Sequence, residues 1–261
     1  MSRRLTTAFA SALTVVIAHV GSAQPSPATT KWVDSVTKLI DAGMSTGQPS
    51  GLDQAIALLD RVLTVTPNDA IMLHYKGYAL YRKANPMMED DTKKSEVKAL
   101  LEAADDALES SAKTLQWPET HALRASVTGQ MIAVGNPMSG MILGPRAENH
   151  IEKAVELGPN NPRVWMLKGV GNMFKPKMFG GGAHKAEKEL LKAIELFAND
   201  RAVSPAPKWG HAESYAWLGQ AYVAQNKFAE ARAAYQKTLE IDPGNGWVTY
   251  VLLPALEKKA R

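Results

Sequence analysis

The chain of 261 residues has no cysteine. That excludes disulfide staples, zinc–thiolate centres and a cysteine nucleophile, and leaves stability to packing, which a chain of this length can supply. Excess charge is also scarce, with 30 Lys and Arg against 26 Asp and Glu. Without a basic stripe, nucleic acid is not an expected partner. Aromatic residues make up only 7% of the chain, so any fixed spacing among them carries information. Strand-type alternation is missing throughout, which points to an all-α chain.

The first 23 residues differ in kind. Arg3 and Arg4 precede a mostly apolar stretch over residues 5–20, and Gly21, Ser22 and Ala23 offer small side chains at a cleavage point. This is the layout of a secretory signal peptide. The apolar stretch is short and broken by Thr6, Thr7, Ser11, Thr14 and His19, which argues against a retained anchor. Export with cleavage after Ala23 is therefore expected, to a periplasmic location and with no stable membrane span afterwards. Loss of Arg3 and Arg4 would take the formal charge from +4 to +2, and residues 24–30 (QPSPATT) would remain as a linker.

From residue 31 onward the apolar positions recur with helical period, and the pattern repeats. In residues 212–245, Tyr215, Leu218, Gly219 and Tyr222 share one helix face; Phe228, Ala231, Tyr235 and Leu239 share a second, and Pro243 ends it. Small residues at 219 and 231 let two helices approach closely while aromatics fill the space beside them. Such a pair cannot bury its apolar face alone and must stack on neighbours. Similar faces occur at Ala55, Leu59 and Val62, behind a weak helix over 32–44; at Leu73, Gly77 and Leu80, with a partner over 94–111; at Ala147, Ile151 and Ala154, behind a helix over 120–134; and at Trp165 and Gly169, followed by Ala186, Leu190 and Ala193.

On these residues the chain resembles the tetratricopeptide repeat family, whose unit of about 34 residues carries an aromatic, Leu-Gly, Tyr, Ala, an aromatic, Ala and Pro at set positions. Tyr215, Leu218, Gly219, Tyr222, Ala231, Tyr235 and Pro243 match, while Thr238 stands where Ala is usual. The resemblance implies an α-solenoid of about five stacked helix pairs over residues 31–261, with a cap over 246–261. Trp247, Val248, Val251, Leu252 and Leu256 would cover the last repeat.

Three crossings within repeats are lengthened, each with Pro and Met: residues 85–91, 135–144 and 175–182. Stacking would line them up as one ridge. The last, KPKMFGGG, poses a question of its own. Glycines before a helix can hold an anion on the backbone amides of Gly181, Gly182 and Ala183. However, Ala186 follows Lys185, no strand precedes, and no Walker-type acid follows, so a P-loop is not made. The expected role is a tight turn, with Met178 and Phe179 folded back on the helices. No HExxH or GxSxG motif occurs, and Asp105 and Asp106 point about 100° apart on a helix. An enzyme is not expected, and no metal or cofactor is implied.

In such solenoids the resemblance places ligands on a concave groove lined by first helices. The matching positions pick out Tyr78, Tyr81, Arg82, Arg124, Arg163, Met166, Met173 and Phe174. Aromatic, Met and Arg side chains are enriched in interface cores. For Met166, Met173 and Phe174, packing beneath the long loops is the alternative. Two functions follow. One is an exported scaffold holding a protein or peptide partner in the groove. The other is a periplasmic carrier for a small apolar ligand, in a pocket closed by the Met-rich loops, as in the T-component associated with TRAP transporters, which such exported proteins resemble.

Overall fold

The computed structural model describes residues 27–46, 50–136 and 138–259; the expected signal segment 1–23 and residues 24–26 of the linker lie outside them. The described residues form five antiparallel helix pairs and a terminal helix. The pairs are α1 (Pro27–Thr46) with α2 (Ser50–Val65), α3 (Ala70–Ala84) with α4 (Lys94–Ala112), and α5 (Pro118–Val134) with α6 (Ser139–Leu157). They continue with α7 (Pro162–Phe174) and α8 (Ala183–Phe197), then α9 (His211–Val223) and α10 (Phe228–Ile241), and α11 (Leu253–Lys259) closes the array. Among the described residues no strand occurs. Residues 27–30, read as linker, are the first turn of α1; Pro27 stands at its start, where a missing N–H costs nothing.

Local chemistry sets the helix ends. Asp69 accepts from the amides of Ile71 and Met72 at 3.0 and 3.1 Å and so starts α3. Asn161 accepts from the Arg163 amide at 3.0 Å, with Pro162 as the first helical residue of α7. Asn245 does the same for the Val248 amide at 3.0 Å. Each of these caps follows a proline after a second helix (Pro67, Pro159, Pro243), so the chain stops, turns and restarts by one recurring device.

Within pairs, glycine sets the distance. A Cβ on Gly77 would lie 2.4 Å from the Leu108 side chain, on Gly169 2.8 Å from Leu190, and on Gly219 2.2 Å from the Tyr235 ring. Between pairs, the first helices touch one another along the array, α1 to α3, α3 to α5, α5 to α7 and α7 to α9, while the second helices make no comparable contact. The array therefore curves, with first helices on its inner face and second helices outside.

The three long crossings differ in detail from expectation. Met87 and Met88 pack half-buried against the core. Residues 139–144 are not loop but the first turns of α6, which Asn136 initiates by accepting from the Met138 amide at 2.9 Å; Pro145 lies inside that helix. Met178 and Phe179 do not fold back on the helices but stand exposed at 83% and 64%. The tight glycine turn directs them outward.

The end of the chain caps the last repeat as expected. Val248, Leu252 and Leu256 are buried with Ala231 and Tyr235, while Trp247 and Val251 stay partly exposed. A π-helical turn over Val248–Leu252 widens the helix just before Pro254, the residue that has no donor to give.

Candidate functional site

The glycine run turns a corner. Gly180 and Gly182 have φ of 79° and 110°, which glycine adopts without strain. Their amides and that of Gly181 are already spent: Gly180 donates to Lys177, Gly181 to Pro176 and Gly182 to Asn172, at 2.9, 3.2 and 2.7 Å. Lys185 points into solvent. Glu89, Asp90 and Asp91 are exposed as well, and Asp90 caps a short turn through the Thr92 amide at 2.9 Å.

The inner face of the array is covered by a segment of the chain itself. Residues 198–210, between α8 and α9, form a connection far longer than the other links between repeats, and it lies across α1, α3 and α7. Arg163, 1% exposed, holds its start by an ion pair to Asp200 at 2.6 Å, with the guanidinium over the Phe197 ring. In the middle, the Tyr75 hydroxyl donates to the Pro205 carbonyl at 2.8 Å. Near its end, Trp209 stacks on Tyr78 with centroids 5.0 Å apart. Gly210, with φ of 110°, sits so close that a Cβ would meet Phe197 at 3.0 Å and the Met166 sulfur at 3.2 Å. Beyond it Arg82 pairs with Glu213 at 2.5 Å, joining the second repeat to the fifth. Breaking a well-buried ion pair by removing one partner typically costs about 3–5 kcal/mol, and an aromatic stack adds about 0.5–1.5 kcal/mol beyond its area. The cover is thus held at its start, middle and end by the inner face.

Four of the eight groove residues expected from sequence, Tyr78, Arg82, Arg163 and Met166, are brought together under or beside this segment. The other four are elsewhere. Tyr81 is buried in the core. Arg124 belongs to a charge cluster between α4, α5 and α6, donating to Asp105 at 3.1 Å and Glu109 at 2.9 Å, with Arg146 also on Asp105. Met173 packs half-buried against the core, and Phe174, 73% exposed, meets Trp217 edge-on.

Between the cover and α1 remains a pocket of ≈ 180 Å³. Val33, Ile40, Tyr75 and Tyr78 form its floor, Ser204, Ala206 and Trp209 its far wall, and the more exposed Asp34, Asp41 and Lys208 its rim. Burial pushes the Tyr75 phenol up, with the negative charges of Glu119, Asp34 and Asp41 adding to the effect and Arg163 opposing it. Loss of hydration likewise raises the Asp41 carboxyl, Glu213 and Asp242 adding to this while Arg82 opposes. The Ser204 hydroxyl and the Trp209 indole N–H are buried without a hydrogen-bond partner. Of the described histidines, one is tied up in the core. His74 is fully buried with Nδ1 2.9 Å from Thr120 Oγ1, and burial lowers its pKa to about 3. Rings of His121 and His150 lie 6.4 Å apart beside Arg124, which with loss of hydration keeps both below the usual histidine range. Among the described residues no three His, Asp or Glu gather as metal ligands would, and no helix is long and apolar enough to cross a membrane.

Sequence reasoning missed the cover and the α1 carboxylates. Only one local signal marked the cover: a long connection between repeats holding Pro205, Pro207 and Trp209.

The family profile of the tetratricopeptide repeat matches residues 212–245. No curated protein sequence matches the chain. Among solved structures, the HusA haemophore from Porphyromonas gingivalis is similar with a TM-score of 0.60 and 21% identity, over 75% of this chain and 94% of that one. A thermophilic tetratricopeptide repeat protein of Thermus thermophilus is similar with a TM-score of 0.56 and 18% identity, over 85% and 98%. At these identities the likeness concerns the fold. Helical-repeat scaffolds of this build typically serve protein interaction and are generally not enzymes. The chain thus carries a tetratricopeptide repeat at residues 212–245, and its four other helix pairs stack in the same way, so its fold is that of tetratricopeptide-like solenoids.

Proposed function

We propose that the protein is an exported binding scaffold whose concave groove receives an extended, proline-containing segment of a partner protein. The observation that carries this reading is the chemistry with which the inner face holds residues 203–209 of its own chain. A Tyr75 hydroxyl takes a backbone carbonyl, and Tyr78, braced by Arg82 5.8 Å from its ring centroid, takes an indole. A hydroxyl on a carbonyl reads backbone, and a stacked aromatic supplies a large anchor, which together are what peptide recognition needs. A partner segment would compete with the cover for the same groups.

The test is to replace residues 203–209 with a Gly/Ser linker of equal length and titrate a labelled peptide of the sequence VSPAPKW. The opened protein should bind it, wild type should bind at least tenfold more weakly, and Tyr78→Ala in the opened protein should lose it. A well-folded opened protein that ignores the peptide would end this reading.

A second reading, a carrier of a small ligand, is supported by the pocket between the cover and α1, and a haemophore is built on a similar fold. Here the closing element is residues 203–209 and not the Met-rich crossings, of which two point their side chains outward.

A further inference from the structure

We propose that the crossings at residues 138–145 and 177–185 form a docking edge for a lipid surface with anionic head groups. Their apolar side chains would enter the acyl layer, and their lysines would meet the head groups. The edge is separate from the groove and the pocket, so this goes beyond both readings above.

Helix α6 begins with its apolar stripe in water. Met138, Met141, Ile142 and Pro145 recur at i, i+3, i+4 and i+7, the spacing of one helix face, and all four are exposed. The first buried residue of α6 is Ile151. From Ala125 to Pro145 no residue is charged. On the next crossing Met178 and Phe179 project from the turn that Gly180 and Gly182 set. The two tips are neighbours: Lys175, at the base of the second, donates to Glu148 of α6 at 2.5 Å, and Glu148 lies about 9 Å along the axis from Ile142. Exposed apolar residues scattered singly are ordinary, but Met138, Met141, Ile142, Met178 and Phe179 gather on one edge, which marks a contact site.

The charge at this edge has one sign. Between Glu156 and Glu187 the chain carries no acid. Lys177, Lys185 and Lys188 are exposed and make no ion pair among the described residues. The nearest acids along the chain are engaged: Glu187 holds Lys227 at 2.9 Å, and Glu189 accepts from Asn172. Glu89, Asp90 and Asp91 belong to the preceding crossing, whose Met87 and Met88 are half-buried against the core, so that crossing has no apolar tip and bounds the edge. Protruding apolar tips ringed by lysines fit a partner that is apolar within and anionic at its boundary, the profile of an acyl layer beneath anionic head groups. A second copy docked symmetrically by the same edge would set these lysines against themselves. No described helix is long and apolar enough to cross a membrane, so the contact is peripheral.

Because the chain has no cysteine, one introduced thiol takes a single label. Met141→Cys, Met178→Cys and, as a control, Val65→Cys at the exposed end of α2 are made in the full chain and carry a polarity-sensitive nitrobenzoxadiazole dye. The vesicles are phosphatidylcholine alone or an equal mixture with phosphatidylglycerol. Residues 1–23 could bring the protein to a vesicle by themselves, but only entry of this edge changes the surroundings of positions 141 and 178 and not of 65. With the mixed vesicles, dyes at 141 and 178 should shift to the blue and be quenched by nitroxide-bearing lipid, and the dye at 65 should do neither. Replacing Lys177, Lys185 and Lys188 together by Glu should raise the lipid concentration at half-effect at least tenfold, and so should Phe179→Ser. All four side chains are exposed, so these variants should keep the wild-type helical circular dichroism. No response at 141 and 178, an equal response at 65, equal binding to phosphatidylcholine alone, or indifference to the lysine changes would overturn the proposal. A blue shift that appears without lipid as the protein is concentrated would assign the edge to a second copy, and a response to polyglutamate but not to vesicles would assign it to an acidic protein; either would overturn it too.

Discussion

His74 has no accessible surface; its Nδ1 lies against Thr120 Oγ1, and its Nε2 meets no polar partner. The unfolded chain takes up a proton at this residue near pH 6.5, whereas burial holds the folded value at about 3. Above pH 6.5 both states are neutral there and the residue is indifferent to pH. Below it the unfolded state binds the extra proton, so stability falls as pH drops from 6.5 towards 3. His150, held at about 4, acts in the same direction. Urea unfolding at pH 5.5 should give a free energy lower than at pH 7.5 by about 1.4 kcal/mol for His74, with a smaller share from the half-buried His150. His74→Phe should remove its share of the difference. A pH-independent wild type between these values would contradict a neutral, buried His74. At this scale the sequence was readable in type but not in partner. Tyr78, Arg82 and Arg163 were picked out as groove residues, and they meet the 198–210 connection or the helix after it; that Trp209, Glu213 and Asp200 engage them was invisible, because the partners lie 131, 131 and 37 positions away in the chain.

Helix crossings were the most legible elements. Leu-Gly followed three residues later by Tyr requires a close approach on the glycine side, and Gly219 indeed faces the Tyr235 ring at a distance no Cβ could occupy. The ring cannot retreat freely, since Tyr235 is fully buried and its hydroxyl accepts from Gln220 at 2.7 Å. Gly219→Leu should therefore destabilise the protein by more than about 1–3 kcal/mol, the usual range for overpacking. A melting temperature equal to wild type would mean the crossing is not so tight. Crossings with long loops were less legible. Pro and Met at residues 85–91, 135–144 and 175–182 suggested one shared packing role, yet only Met87 and Met88 take it. Composition does not say which way a loop side chain points. That depends on the turn: positive φ at Gly180 and Gly182 sends Met178 and Phe179 outward, and Asn136 extends α6 back to Ser139.

For the whole molecule, curvature matters most. The first helices touch from repeat to repeat and the second helices do not, so the array bends until the second repeat meets the fifth through Arg82 and Glu213. The bend narrows the inner face enough for one connecting segment to cover it. The proposed export is tested at the same scale. If the signal reading of residues 1–23 is right, protein recovered from cells should begin at or near Gln24 and carry a formal charge of +2 in place of +4, Arg3 and Arg4 having been removed. N-terminal sequencing checks this, and an intact Met1 on the recovered protein would refute it.

The sequence by itself determined what is local or repeated: five helix pairs, the Pro-then-Asn or Asp stops between them, the glycine crossings and the apolar cap on the last repeat. Each follows from helical period, capping and side-chain size, which act over a few residues. Only the tertiary structure decided what fills the inner face. The cover is held by contacts between residues far apart in the chain, and the pocket exists only where α1, α3 and residues 204–209 converge. A side chain's type can be read in order along the chain, but the sum of small rotations from repeat to repeat, which brings Asp34 and Asp41 opposite Trp209, cannot.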